Sequence, residues 1–338
     1  MRHLLACFAL LLSTTVTAQE MSSELMLAER PDARGPPTEI TVNLLVIDVD
    51  AIDDVRQRFN VDIFVTTMWR DPRLASKTDA AVPAIRSRPI SQIWTPKGLI
   101  VNDRGLDAQL PPLAEIDASG NVVYRQRYTG QLAVDLDFRD FPFDTQQLAI
   151  EIVSYQYSPD ELQFSAATRV AGDPDSFSIE GWSFRLLEPE MGTFSVAATG
   201  VERPQLTYAL EATRNGGYYL LTMFLPMSLI IFMSWTVFWI QPDVVAARIG
   251  ISTGSIFSLI AFGFSIRLSL PPIAYVTKAD IFVIGCTLLV FLALGVAVTG
   301  SRWAVAEKMQ RALQVNVVAR WAYVGLFMLV IATAVFKS

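Results

Sequence analysis

The stretch from Val244 to Pro272, VVAARIGISTGSIFSLIAFGFSIRLSLPP, combines residue types that could carry ions through a membrane. It is long enough to cross a bilayer as a helix, which needs about 20 largely apolar residues. Six hydroxyl residues and three glycines interrupt it, and Arg248 and Arg267 lie near its ends. A span that keeps hydroxyls and small residues usually faces other helices or water rather than lipid. The composition therefore favours either a pore-lining helix or a helix packed at the centre of a bundle.

Other kinds of chemistry are poorly represented in the chain. Residues 1–18 have a basic start, an apolar run and a small-residue end, which predicts a signal peptide cleaved near Ala18. Its loss would remove His3 and Cys7, leaving Cys286 as the one cysteine and no histidine. We therefore expect no intrachain disulfide, no Cys/His metal site, no cofactor and no catalytic residues. The formal net charge of -6, without a basic stripe, argues against nucleic acid as a partner.

The first two-thirds of the chain is typical of a soluble β-domain. Nine short alternating or β-branched runs occur there, among them Ile40–Val49, Ile90–Trp94 and Leu132–Phe138. Turn signals such as Ser119-Gly120-Asn121 separate these runs. Many short strands with such turns predict an all-β sandwich, immunoglobulin-like and of about ten strands.

The last third of the chain is predicted to cross a membrane four times, at roughly 218–240, 246–268, 280–299 and 317–336. The segment between the third and fourth spans contains four basic residues and only one acid, Glu307. Positive charge marks the cytoplasmic side, so we expect an exported N-terminal domain in a multi-pass protein of the cell (inner) membrane. The predicted domains are the signal peptide (1–18), the extracellular or periplasmic β-sandwich (19–213) and the transmembrane domain (214–338).

One motif indicates a family. The segment Asp137–Gln147, DFRDFPFDTQQ, resembles the signature loop of pentameric ligand-gated ion channels, the Cys-loop receptor superfamily. Animal members flank this loop with two cysteines, whereas Val134 and Leu148 stand at those positions here, as in the bacterial branch. Trp69–Leu74 (WRDPRL) and Trp94–Pro96 (WTP) are similar to further family elements in the same order.

The resemblance continues into the last third of the chain. Arg214 matches the arginine that precedes the first span, and Phe238–Ile240 followed by Ala246–Arg248 is similar to anion-selective animal receptors. Membership implies a homopentamer in the lipid bilayer. A small-molecule or ionic agonist, bound at extracellular subunit interfaces, would open a central pore for inorganic ions.

The family places one face of the second span in the pore. The residues on that face here are Gly250, Gly254, Phe257, Ala261, Phe264 and Leu268. The residue types alone favour the adjacent stripe, because hydroxyls wet a pore better than apolar groups do. That stripe consists of Ser255, Ser258, Phe262, Ser265 and Ser269, and it differs by about 100° of helix rotation. We prefer the first face, with Phe257 and Phe264 as apolar rings that gate by dewetting.

Charge at the pore mouths bears on selectivity. Cation-selective members carry an acidic ring just before the pore helix, where this chain has Ala246 and Ala247. Arg267 matches a basic position at the outer mouth of anion channels. These positions predict anion selectivity, although Asp243 at the inner turn is contrary evidence. The alternative is a cation-selective or weakly selective channel gated by protons or divalent ions.

The resemblance also implies coupling and ligand residues. Coupling would run through acids that could pair with an arginine at the first span, through the signature loop and through the loop after the second span. Those residues are Asp53, Asp54, Phe141, Pro142, Asp144, Arg214, Pro271 and Tyr275. The ligand site between subunits would use Tyr155 and Phe194 on one side and Phe64 and Arg127 on the other. An arginine beside aromatic rings suits a small zwitterion.

Two alternatives come from other classes. One is a membrane-anchored enzyme, but without histidine or a free exported cysteine no nucleophile–base set or metal cluster is visible. The other is a non-conducting sensor or adhesion protein. Such a protein would not need a second span rich in serine and glycine.

Overall fold

The computed structural model describes residues 29–76, 85–166, 172–197, 200–267 and 273–336. Residues 1–18, with the predicted signal peptide, lie outside this part of the chain. The described residues form two β-sheets followed by four long helices. The predicted β-sandwich with a four-helix transmembrane domain is confirmed, with twelve described strands instead of the smaller number expected.

The strands are numbered in chain order. Their bounds are β1 Thr38–Asp53, β2 Arg58–Arg70, β3 Ile85–Pro89, β4 Gly98–Ile100, β5 Asp103–Ala108, β6 Leu113–Asp117, β7 Asn121–Ala133, β8 Thr145–Ser154, β9 Leu162–Ala166, β10 Trp182–Leu186, β11 Glu190–Val196 and β12 Val201–Arg214. The larger sheet has the order β3-β6-β7-β2-β1-β9, with β5 also paired to β7. The smaller sheet has the order β10-β12-β8-β4, with β11 paired to β12.

The core lies between the two sheets because alternate side chains of each strand point inward. In β2, Phe59, Val61, Ile63 and Val65 are buried, and the residues between them are only partly covered. The hydroxyl of Tyr208, on the smaller sheet, donates a 2.6 Å hydrogen bond to a backbone carbonyl of the larger sheet. The sheets are therefore joined by polar contacts as well as by apolar packing.

Two predicted strands differ in the structure. The run Ile90–Trp94 forms a 3-10 turn over Ile90–Gln92, entered from Pro89, and Trp94 is buried without belonging to a strand. Its apolar residues reflect burial in the core, where the indole of Trp94 donates to the hydroxyl of Tyr157 at 2.7 Å. Only the first two residues of the predicted run Leu132–Phe138 lie in a strand. The strand β7 ends at Ala133, and the signature loop begins soon after.

The four helices are α1 Gly217–Trp239, α2 Val245–Arg267, α3 Lys278–Val305 and α4 Met309–Phe336. All four are long and apolar enough to cross a membrane. The helices α3 and α4 extend into the basic link, beyond the apolar stretches expected at about 280–299 and 317–336. Hydropathy detects only the apolar part of a helix. Both helices continue past their apolar parts to a turn at Glu307, which has a positive φ of 60°.

Aromatic rings and one close backbone contact hold the helices together. Phe224 of α1 lies 4.4 Å from Phe282 of α3, measured between ring centroids, and Phe282 lies 6.5 Å from Phe327 of α4. A methyl group added at Gly285 of α3 would come within 2.6 Å of Val330 of α4. Within α1, residues Leu220–Phe224 form a π-helical turn just before Pro226, which has no N–H for a regular helical bond.

Candidate functional site

One face of α2 has little cover from the rest of the chain. Phe257 and Phe264 each leave 68% of their surface exposed, and Gly250 and Ala261 are exposed as well. Gly254 is half-buried, and a methyl group added at Gly250 or Gly254 would meet no atom within 4 Å. These five residues follow one another by steps of three and four, which places them on one helical face.

The serine-lined stripe does not form a single exposed face. Ser255 is fully buried, and its hydroxyl donates a 2.9 Å hydrogen bond to the carbonyl four residues earlier. Phe262 is partly buried against the helix core, whereas Ser258 and Ser265 are exposed. Two of these side chains thus point into the subunit, and the two exposed serines border the face that carries Phe257.

The inner end of α2 separates small exposed residues from a buried cation. Ala246, Ala247 and the preceding Asp243 are exposed. The side chain of Arg248 is fully buried, and its guanidinium donates a 2.9 Å hydrogen bond to the side-chain oxygen of Asn316 on α4. Arg248 therefore points into the helix bundle, away from the exposed face of α2.

At the outer end of α2, several predicted residues lie outside the described part of the chain. They are Leu268, Ser269 and Pro271, and for Arg267 only the backbone is described. The described part of the candidate pore face therefore runs from Gly250 to Phe264.

Arg214 connects the two domains through two carboxylates. It is the last residue of β12 and lies just before α1. Its Nε donates to Asp144 at 2.8 Å, and its two terminal nitrogens each donate to Asp54 at 2.9 Å. The side chain of Arg214 is 5% exposed, compared with 1% for Asp144 and 17% for Asp54. This is a buried three-residue charge cluster, which we call the junction cluster.

Aromatic rings surround the junction cluster. The guanidinium carbon of Arg214 lies 4.2 Å from the centre of the Trp182 ring and 5.1 Å from that of Phe141. Burial alone would lower the pKa of Arg214, but the hydrogen bonds to Asp54 and Asp144 and their charges outweigh it and raise the pKa above its ordinary value. Arg214 therefore stays charged.

Asp53, the other predicted partner of Arg214, instead contacts residues of its own turn. Its carboxylate forms a 3.3 Å ion pair with Arg56 and accepts hydrogen bonds from the backbone amides of Val55 and Arg56. Asp53 thus stabilises its own turn, and Asp54 is the acid of this pair that reaches the junction.

The signature loop rests on the beginning of α3 through side chains. The hydroxyl of Tyr275 accepts a 3.0 Å hydrogen bond from the backbone amide of Phe138, and the guanidinium of Arg139 lies 4.9 Å from the centre of the Tyr275 ring. The amine of Lys278 forms a 3.0 Å ion pair with Asp140. The loop before α3 and the signature loop thus form one contact surface.

The backbone of the signature loop also caps α3. The amides of Lys278 and Ala279 donate to the carbonyls of Arg139 and Phe141 at 3.0 and 3.1 Å. The remaining first-turn amides are satisfied within Thr277–Asp280, which forms a capping box. Because the first amides of a helix have no partner inside it, two of the partners of α3 come from the extracellular domain.

Below the junction cluster the loop packs against α1. Phe141 and Pro142 are buried, and the peptide bond between them is cis. The ring of Phe143 lies 6.1 Å from that of Phe224, measured between ring centres. A methyl group added at Gly216 would come within 2.6 Å of the Phe143 ring, so the loop and the start of α1 touch directly.

Two of the predicted ligand residues are cross-strand neighbours in the larger sheet. Phe64 of β2 is paired with Arg127 of β7. The Nε of Arg127 donates to Asp62 at 2.9 Å, and a second nitrogen completes a two-point ion pair with the same carboxylate. This hydrogen bond and the charge of Asp62 raise the pKa of Arg127. Sequence reasoning missed Asp62, although it stands two residues before Phe64 on the same strand face.

The other two predicted ligand residues lie on the smaller sheet. Tyr155 follows β8 directly and is 55% exposed. Phe194 is half-buried in β11, where it is paired with Arg203. Within one subunit the four predicted residues therefore belong to different sheets, two on each.

Tyr155 also lines a cavity of about 490 Å³ inside the sandwich. Trp69, Tyr124 and Tyr128 contribute further aromatic side chains to its wall. Burial, with smaller contributions from Tyr124 and Asp103, raises the pKa of Tyr128 to about 12, so this phenol stays protonated. The sequence signal for this cavity was weak, because its residues come from five or more separate segments.

The comparison with known families agrees with this architecture. Residues 15–214 match the family model of the neurotransmitter-gated ion-channel ligand binding domain. Residues 223–321 match that of the neurotransmitter-gated ion-channel transmembrane region. The two matches follow the chain in the order of the β-sandwich and the four helices, and the first alone covers more than half of the sequence. The chain belongs to the pentameric ligand-gated ion channels of the Cys-loop superfamily, and it is a multi-pass membrane protein with an exported N-terminal domain.

Proposed function

We propose that five copies of this chain surround a central pore lined by α2, and that an agonist bound between neighbouring extracellular domains opens this pore to ions. The observation that carries the proposal is the bare face of α2. Phe257 and Phe264 expose most of their surface on an isolated subunit, although both are large and apolar. Five-fold symmetry would turn this face toward a shared axis, where repeated copies close a ring.

The two phenylalanines are suited to close the pore. They lie two turns apart on the exposed face, and five copies of each would form two apolar constrictions. Water leaves a narrow apolar passage readily, so such rings stop ions without a physical plug. Gly250 and Gly254 leave the passage wider on the inner side, because neither brings a side chain into it.

We propose that the pore selects anions. Ala246 and Ala247 are exposed at the inner end of α2, where an acidic ring would be needed to favour cations. Asp243 is exposed just before them, which supports the alternative of a cation-selective or weakly selective channel gated by protons or divalent ions. Arg248 contributes little to either choice, because its buried guanidinium does not face the pore.

Agonist binding would reach the pore through the junction cluster. Arg214 holds Asp54 of the β1–β2 turn and Asp144 of the signature loop at the top of α1. The same loop caps α3, so a movement of the sandwich is passed to two helices at once. Pro271, which the sequence places between the second and third predicted spans, would complete this route.

The agonist would bind where Tyr155 and Phe194 of one subunit face Phe64 and Arg127 of the next. The rings offer faces for an ammonium group. The guanidinium of Arg127 could hold a carboxylate, but Asp62 already occupies its donor fork. A small zwitterion therefore fits best if its carboxylate displaces, or shares the fork with, Asp62. We assign the chain no catalytic role and no cofactor.

A planar-bilayer recording on the purified protein tests the function. We expect single-channel currents whose reversal potential follows the chloride gradient when a small amino acid is applied. A reversal potential that follows sodium or potassium would overturn the selectivity, and the absence of any conductance over a panel of agonists and pH values would overturn the channel itself. A mass in detergent of five chains of 37.4 kDa, less the signal peptide, tests the assembly.

A further inference from the structure

A groove runs along the outside of the helix bundle, between α3 and α4. It has a volume of about 350 Å³, and its wall also includes Phe238 at the inner end of α1. Nearly all of its lining side chains are apolar. Among them, Val318 of α4 leaves 68% of its surface exposed and Leu292 of α3 leaves 47%. We call this feature the α3–α4 groove. Neither the proposed pore nor the proposed agonist site uses it.

The α3–α4 groove lies on the side of the bundle behind the pore helix. The guanidinium of Arg248 points away from the exposed face of α2 and donates to Asn316 of α4 at 2.9 Å. Helix α4 packs on α3 and on the inner end of α1. Copies of the chain that meet around the exposed face of α2 would therefore keep the groove on their outer side. The medium there is bilayer hydrocarbon, because α3 and α4 are long and apolar enough to span a membrane.

The groove has about the depth of one leaflet. Its lining residues on α4 extend from Gln314 to Leu326, which are about 18 Å apart along the helix. The hydrocarbon core of a bilayer is about 30 Å thick, so one leaflet contributes about 15 Å. Gln314 lies near the start of α4, just after the basic link on the inner side of the membrane. The groove therefore begins at the inner surface and ends near the middle of the bilayer.

Two basic side chains stand at the inner end of the groove. Arg311 precedes Gln314 and Val315 by three and four residues, which places all three on one face of α4. Lys308 lies just before the helix, and its carbonyl accepts a 3.1 Å hydrogen bond from the amide of Arg311. Both basic side chains are exposed. Among the described residues neither forms an ion pair, although Glu307 is the neighbour of Lys308.

We propose that the α3–α4 groove binds one anionic phospholipid of the inner leaflet, with an acyl chain along the groove and the phosphate at Arg311. A guanidinium can hold two phosphate oxygens at once, and the amide of Gln314 can donate beside it. Lys308 adds attraction for a headgroup of net negative charge, because each basic residue near the surface raises the affinity for anionic lipid about fivefold. The bound lipid would join α3 to α4 at the inner surface of the membrane.

Two other arginines near the inner surface are placed differently. The Nε of Arg320 donates to the carbonyl of Phe238 at 3.0 Å, and its guanidinium lies 4.2 Å from the centre of the Trp239 ring. Arg302 is exposed and lines a separate groove between α2 and α3. Because Arg302 carries the same charge near the same membrane surface, it provides a matched control for Arg311.

Native mass spectrometry of the assembled protein, delipidated in detergent, measures the binding. The probes are phosphatidylglycerol and phosphatidylcholine with identical acyl chains. We expect one phosphatidylglycerol per chain to bind, with a half-saturating concentration at least about tenfold below that of phosphatidylcholine, because two basic residues favour the anionic headgroup. Glycerol 3-phosphate, which has the phosphate but no acyl chains, should not displace the lipid at equal concentration, since burial of the chain supplies most of the affinity.

Variants connect this binding to the groove. Arg311→Gln should raise the half-saturating concentration of phosphatidylglycerol about fivefold, whereas Arg302→Gln should leave it unchanged. Ala322→Phe places a ring in the groove and should weaken the binding of both lipids about tenfold or more. Val317→Phe adds the same ring to an exposed position of α4 outside the groove and should have no such effect. The four replaced side chains are exposed, and the mass of the assembly in the same spectra checks that each variant is intact.

Four outcomes would overturn the proposal. Equal affinity of the parent for the two lipids would mean that the headgroup is not recognised. Equal effects of Arg311→Gln and Arg302→Gln would reduce the binding to the general charge of the inner surface. Unchanged binding in Ala322→Phe would place the acyl chain elsewhere, and loss of the assembly in this variant alone would mean that a second copy of the chain covers the groove. The measurement requires no current, so each of these outcomes is separate from the test of the channel.

Discussion

Replacing Arg214 with glutamine should separate agonist binding from pore opening. Glutamine keeps most of the length and some of the hydrogen bonding of arginine but removes the charge. Asp144, which is 1% exposed, and Asp54, which is 17% exposed, would then lie buried without their cation. The change would leave the proposed ligand residues and the pore face untouched.

The size of the effect follows from burial. Removing one partner of a buried ion pair costs about 3–5 kcal/mol, mainly because the remaining charge is left unpaired. The chain offers a matched control in Arg185, which pairs with Glu211 at 2.8 Å on the same sheet but is 70% exposed. Loss of such an exposed pair costs about 0.2–1 kcal/mol. Arg214→Gln should therefore destabilise the protein several times more than Arg185→Gln.

Two assays read the result. Chemical unfolding of the detergent-purified protein gives the change in the free energy of unfolding for each variant. Recording in bilayers shows whether agonist still opens the assembled channel, and we expect Arg214→Gln to conduct weakly or not at all while Arg185→Gln behaves like the parent. Adding Asp144→Asn to Arg214→Gln should recover part of the stability, because one unpaired carboxylate is then neutral.

The reasoning is refuted if Arg214→Gln and Arg185→Gln lose the same stability. It is refuted separately if Arg214→Gln assembles as a pentamer and opens with parental agonist sensitivity, since the junction cluster would then be structural only.

Three further predictions concern the pore and the ligand site. Phe257→Ala should raise the resting conductance because it widens an apolar ring. Phe262→Ala removes the same atoms from a packed position and should lower the stability of the protein instead. Equal single-channel records for the two variants would contradict the proposed pore face. Ala247→Glu should shift the reversal potential toward the cation gradient, and a shift toward chloride would be inconsistent with its place at the pore mouth. Tyr155→Ala should raise the half-maximal concentration of an amino-acid agonist about tenfold at unchanged single-channel conductance. Asp62→Asn should lower the half-maximal concentration, because it frees the guanidinium of Arg127. If neither change alters the half-maximal concentration, the agonist binds elsewhere.

The junction cluster shows what the sequence could and could not predict. Arg214 and Asp144 were identifiable because both stand at fixed places in recognisable motifs. The choice between Asp53 and Asp54 was not, because β1 contains irregularities in register between Val46 and Asp48 and between Val49 and Ala51. Each irregularity shifts the alternation of inward-facing and outward-facing side chains. Counting every second residue from the buried part of the strand therefore does not show which of the two acids points toward Arg214.

Other causes limit how well the sequence predicts the exposed face of α2 and the contacts of the proposed ligand residues. The two candidate faces of α2 differ by one residue, and the serine pattern favours the stripe in which the structure buries Ser255 and partly buries Phe262. A helical serine can satisfy its hydroxyl on the carbonyl four residues earlier, as Ser255 does, so it need not face water. The pairing of Arg127 with Asp62 is diagonal between two strands and depends on the register of β2 and β7, which the sequence does not show.

The capping of α3 by the signature loop has a consequence for hybrid channels built from two relatives. The contact uses backbone carbonyls at positions 139 and 141, so it places no demand on the side chains there. What must be kept is the distance along the chain and the loop's path over the helix end. A foreign sandwich joined before Arg214 should therefore serve this membrane domain when its loop has the same length and it keeps the two acids that pair with Arg214, even if the other loop residues differ. One inserted or deleted residue in that loop would leave two backbone amides of α3 without hydrogen-bond partners.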